Sequence, residues 1–189
     1  MRFPFRLATT LAFCAVVAGG AVALAGSPAA GTSGSANVPV PAEVVINGRK
    51  VLDMGFATLS SFPYKVVDIA SGATKEQIEA AAQQDQIPPA VHAYDGKAVV
   101  LTGFMMPLQL EGGLTKKFVM MKDINTCCYG AIPQMNDYVV VEMKGDGIES
   151  IQDIPVRLTG VLHIAEKREE GYVVSLFEMD GEKFLGPLK

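Results

Sequence analysis

Pro155-Val-Arg-Leu-Thr-Gly-Val-Leu-His-Ile164 alternates along its whole length. Val156, Leu158, Gly160, Leu162 and Ile164 fall on one face, and Arg157, Thr159, Val161 and His163 on the other. A period of two marks a strand with one buried face. Working outward, β-like runs occupy residues 97–110, 116–123, 137–144, 155–167 and 172–185. Glu111-Gly-Gly113, Gly145-Asp-Gly147 and Glu169-Glu-Gly171 punctuate them as turns. Gly103 and Gly160 sit inside long strands, as at the bends of small closed barrels. The expected fold is mainly β: a small five-stranded OB-like barrel with a short N-terminal helix. An open α+β sheet is the competing architecture.

Upstream, two apolar runs flank Asn47-Gly48, a dipeptide that tolerates the positive φ angles of a tight hairpin. Phe56, Leu59, Phe62 and Tyr64 give residues 55–64 the character of an apolar flap over the core. Thr74-Lys-Glu-Gln77 fits a capping box, and its helix is expected to run to about Asp85 before Pro88 and Pro89. Residues 26–43 are Gly-, Ser-, Ala- and Pro-rich and read as a flexible linker. Residues 44–189 then read as a single globular domain with its β core from about Lys97.

Residues 1–25 have the three parts of a secretory signal. Arg2 and Arg6 precede an uncharged apolar run, and Ala23-Leu-Ala25 offers a cleavage site before Gly26. The expectation is export to the periplasm; the alternative is an uncleaved anchor in the inner membrane. The chain has a formal net charge of −4, and losing two arginines with the signal makes the remainder more acidic. That balance, with no Lys/Arg stripe, argues against a nucleic-acid partner. Only one stretch is long and apolar enough to span a bilayer, which excludes a polytopic membrane protein.

The chemistry-bearing segment is Ile124-Asn-Thr-Cys-Cys-Tyr-Gly-Ala-Ile-Pro-Gln-Met-Asn136, the longest connection between confident strands. After signal removal Cys127 and Cys128 are the remaining cysteines. Gly130 permits a sharp turn, Pro133 fixes a φ angle, and Asn136 can hydrogen-bond the loop's own backbone. As thiolates the cysteines suit Zn²⁺ or Cu(I), with further ligands from His163, His92, Asp123 or a methionine. Adjacent cysteines are a poor chelate for one tetrahedral ion, so a structural pair or a strained vicinal disulfide competes with that reading. A thiol-redox role is the third reading, although C-x-x-C spacing and an adjacent base are lacking. Met105-Met106 and Met120-Met121 sit in strands, where neighbours point to opposite faces, so at most one of each pair can face a given site. His163 is expected on the solvated strand face. No Ser-His-Asp pattern is legible around either histidine. Glu166, Lys167, Arg168, Glu169 and Glu170 read as a solvated hairpin tip.

Three stretches, Ile87-Pro-Pro-Ala-Val-His-Ala-Tyr-Asp-Gly-Lys97, Leu101-Thr-Gly-Phe-Met-Met-Pro-Leu108 and Cys127-Cys-Tyr-Gly-Ala-Ile-Pro-Gln-Met-Asn136, occur in this order. Together they resemble an exported bacterial family catalogued as a domain of unknown function. Single-cysteine forms of the last motif put the second thiol in question. The resemblance implies an accessory role beside an envelope transporter, in divalent-metal handling, and carries no catalytic residues. The expectation is therefore a non-enzymatic periplasmic accessory or binding protein. An envelope thiol-redox protein and a ligand-free adapter docking through its apolar flap are the alternatives.

Overall fold

The computed structural model describes residues 38–125 and 133–188. Seven strands form one mixed sheet: β1 (Ala42–Ile46), β2 (Arg49–Met54), β3 (Ala98–Glu111), β4 (Leu114–Met121), β5 (Tyr138–Met143), β6 (Val156–Glu169) and β7 (Tyr172–Pro187). Their order is β1-β2-β3-β4-β5-β7-β6, and β3 also pairs with β6. The five strands read from Lys97 onward are all present. The strand count is corrected to seven, because the hairpin over Asn47-Gly48 joins the same sheet: Leu52, Asp53 and Met54 run parallel to Val99, Val100 and Leu101. Val51 and Met54 supply the reason, since both are buried. Two-residue turns with positive φ at both positions close three hairpins, at Asn47-Gly48, Gly112-Gly113 and Glu170-Gly171.

The alternation read in β6 holds for its core face, while Thr159 on the other face is buried as well. Val156, Leu158, Leu162 and Ile164 are in the core, packed with Leu101, Phe118, Val141, Leu176 and Phe177. Gly160 lets β7 approach: a Cβ there would overlap the Asp180 carbonyl oxygen and lie 2.8 Å from Met179 Cε. At Gly103 a Cβ would lie 2.6 Å from the Met121 carbonyl oxygen. Both glycines thus mark close backbone approach within the sheet.

Three short helices lie outside the sheet: α1 (Phe56–Leu59), α2 (Lys75–Ala82) and α3 (Pro89–His92). The capping box at Thr74 and Gln77 is formed, but α2 ends at Ala82, short of Asp85. Asp85 is drawn elsewhere: its carboxylate accepts from the Ile87 amide at 2.9 Å and meets His92 Nε2 at 2.6 Å. The flap is real, and its side chains face inward. Phe56, Leu59 and Phe62 are buried in the core, so they are not available for docking a partner. Val38 packs against the core, Thr58 Oγ1 donates to the Pro39 carbonyl at 2.8 Å, and β1 begins at Ala42. These residues lie within the stretch read as linker. Among the described residues no helix is long and apolar enough to cross a membrane.

Candidate functional site

The connection between β4 and β5 is fixed where it leaves the sheet and where it returns. Met121 stands opposite Tyr138 in the last ladder rung. Beyond it the Lys122 amide donates to the Asp137 carbonyl at 3.0 Å, and Lys122 Nζ lies 3.3 Å from Asp137 Oδ1. On the outgoing side the Asn125 amide donates to Asp123 Oδ1 at 2.9 Å, an Asx-type turn. On the returning side the Asp137 amide donates to the Gln134 carbonyl at 3.0 Å.

Asn136 is the anchor of the returning side. It is 2% exposed, and its Nδ2 donates to the Phe62 carbonyl at 2.6 Å. Among the described residues its partner is the flap, while most of the loop whose backbone it was expected to bond lies outside them. Ser60 Oγ reinforces the junction, 2.9 Å from the Asn136 carbonyl and 2.8 Å from Asp137 Oδ1. Asn136 Oδ1 is buried with no hydrogen-bond partner. Pro133 is exposed at the start of this anchored stretch. Cys127, Cys128 and Gly130 lie outside the described residues.

His163 is exposed on β6, on the face its alternation assigned. Its Nε2 is 3.3 Å from Asp180 Oδ2, while Lys144 Nζ is 2.8 Å from Asp180 Oδ1. The hydrogen bond from Lys144 is the main force holding the Asp180 carboxyl below its ordinary range, and His163 adds to it. Each histidine thus has an aspartate partner, His92 with Asp85 and His163 with Asp180, which the linear spacing concealed. Among the described residues no group of three or more His, Cys, Asp or Glu side chains gathers at a metal-binding point.

A second polar cluster was missed. Glu166 and Arg168 are only 19% and 16% exposed at their side chains, so they are not a solvated tip. Arg168 Nε donates to Glu166 Oε1 at 2.5 Å, Arg168 Nη1 donates to the Val67 carbonyl at 2.9 Å, and the Tyr64 hydroxyl bonds Glu166 Oε2. Burial, followed by the bond to Glu166, pushes the Tyr64 phenol far above its ordinary range. The latch ties residues 64–67 to β6 beside a cleft of about 370 Å³ lined by Asp85, Ile87, His92, Ala165, Glu166 and Arg168. The only legible signal was the i, i+2 spacing of Glu166 and Arg168, which puts both on one strand face.

The model of a family described as protein of unknown function (DUF3299) matches residues 49–185. The chain belongs to the DUF3299 family. A crystal structure of a DUF3299 family protein from Pseudomonas aeruginosa PAO1, at 2.45 Å resolution, is similar with a TM-score of 0.51 and 22% identity. The match covers 72% of this chain and 95% of that one, and at this identity it shows the fold alone. No curated protein matches the chain. The DUF3299 match takes in the whole β4–β5 connection and the flap that anchors it.

Proposed function

We propose that this chain is a non-enzymatic accessory binding protein of the cell envelope, exported to the periplasm, whose β scaffold presents the β4–β5 connection to a metal ion or an envelope partner. The observation that carries this reading is the Asn136 clamp. A buried amide on the returning end of the connection is tied to the Phe62 carbonyl on the flap, with Ser60 bonded beside it. Sites held by buried hydrogen bonds keep their ligand geometry, so a stiff root suits a binding loop. The pairing circuit β3–β4–β5–β7–β6 and back to β3 supports an OB-like barrel as the scaffold.

In this reading Cys127 and Cys128 are the ligands, and Zn²⁺ or Cu(I) the ions they suit. Pro133 and Asn136 shape the segment, with Gly130 as its turn. His163 is the weaker ligand, because its Nε2 already faces Asp180. An envelope transporter is the partner the family resemblance points to. Metal titration of the reduced, exported protein tests the ligand part. Binding that disappears in Cys127→Ser/Cys128→Ser is the expected result, and equal behaviour of the two proteins overturns it. The mass of the exported protein decides between cleavage after Ala25 and a retained anchor.

A further inference from the structure

We infer that residues 72–86 form a strap that unlatches as a unit and gates the cleft beside Glu166 and Arg168. None of these residues belongs to the β4–β5 connection. Both ends of the strap are bolted to the domain. Asp68 is 4% exposed, and its carboxylate accepts from the Ser71 amide at 3.0 Å and from the Val173 amide of β7 at 3.3 Å. At the other end Ile87 is 4% exposed and belongs to the core. Between these two anchors no residue from 69 to 86 is buried. Gly72, with a φ of +75°, opens the free span, and Pro88 and Pro89 follow its end.

Two side chains hold the span down. Gln86 Oε1 accepts from the Lys65 amide at 3.1 Å, and Gln86 Nε2 donates to the Lys65 carbonyl at 2.9 Å. One side-chain amide thus bonds one residue's backbone in both directions, as a strand partner does. Asp85 Oδ2 meets His92 Nε2 at 2.6 Å. Two clefts, of about 370 and 550 Å³ and both lined by Gln84, undercut the span. Ala165, Glu166, Arg168 and His92 line the first, and Lys65, Val66 and Val67 the second.

α2 has little of its own to stand on. At eight residues it is shorter than a helix that persists alone in water, and helices in proteins draw most of their stability from a packed apolar face. No residue of α2 is buried, so its capping box and the two tethers carry it. Segments with few buried apolar contacts open well below the free energy of global unfolding. Releasing Gln86 and Asp85 together therefore melts α2 and takes away one wall of the first cleft, while the sheet stays folded. Re-forming the tethers restores the wall. The cleft has in this way a closed and an open state.

Hydrogen exchange read by mass spectrometry on the protein, with Gln86→Ala and His92→Ala as variants, tests the strap. Residues 74–86 are expected to exchange faster than β3 and β6 but slower than an unstructured chain. Gln86→Ala loses two hydrogen bonds at once and is expected to speed that exchange about tenfold, with β3 and β6 unchanged. His92→Ala loses one bond and is expected to act in the same direction by less. Modification of the two histidines by diethyl pyrocarbonate reads the cleft itself. In Gln86→Ala, His92 is expected to react several-fold faster, with exposed His163 as the unchanged reference. Four results overturn the proposal. Residues 74–86 exchange only with the whole domain, or exchange at the unstructured rate in the unaltered protein. Gln86→Ala leaves their exchange unchanged, or speeds it with no gain in His92 reactivity.

Discussion

Asn136→Ala is the sharpest probe of the clamp. The substitution removes the Nδ2 donor and leaves the Phe62 carbonyl without that bond in a site that is almost fully buried. An unsatisfied buried acceptor costs about 1–3 kcal/mol. The same change also removes Asn136 Oδ1, which has no hydrogen-bond partner, and so relieves part of that cost. The expected net loss is about 1–2 kcal/mol, or about 2–8 °C in Tm for a domain of this size. Urea unfolding of the protein should show a lower midpoint at unchanged slope. Ser60→Ala adds a second axis, because Ser60 Oγ bonds the Asn136 backbone and not its side chain. If flap and loop form one cooperative junction, the double variant departs from additivity by about 0.5 kcal/mol or more. A single-variant change within about 0.5 kcal/mol, typical of a surface substitution, would refute the clamp.

Gly160→Ala drives a methyl into the Asp180 carbonyl and Met179, and backbone cannot yield as a side-chain tip can. It is expected to cost about 1–3 kcal/mol in chemical denaturation, and a neutral result would contradict the close β6–β7 approach. Tyr64 has its folded pKa raised above the unfolded value of about 10, so the native state holds that proton more tightly. Its contribution is complete below that value and is lost as pH rises past it. Tyr138 is shifted the same way by burial. Tyr64→Phe should therefore make the alkaline decline in stability shallower without abolishing it, as followed by Tm against pH. An unchanged decline would mean that Tyr64 is neither buried nor bonded to Glu166 in solution.

The architecture was legible wherever a local pattern decided it. The alternation in β6, the Asn47-Gly48 turn and the Thr74 capping box are short-range signals, and each is formed. What stayed hidden depends on partners far apart in the chain. Nothing near Asn136 in sequence points to Phe62, and the Tyr64–Glu166 bond spans a separation of 102 residues. The parallel junction of β2 with β3 hides for the same reason, since α1, α2 and α3 lie between the two strands. Glu166 and Arg168 looked solvated because a mixed charge run resembles a surface. They are half-buried because residues 64–67 fold back over them.

The contact between Thr58 and Pro39 also fixes how the domain answers a pull. Load entering at residue 38 meets the packing of Val38 and the Thr58–Pro39 hydrogen bond first, and then the open end of β1, whose ladder partner is β2 alone. An antiparallel hairpin tugged at its open end unzips one rung at a time instead of resisting with all its rungs at once. Traction on the amino-terminal side would thus strip away β1 while β3 to β7 stay assembled, giving the domain a mechanical fuse.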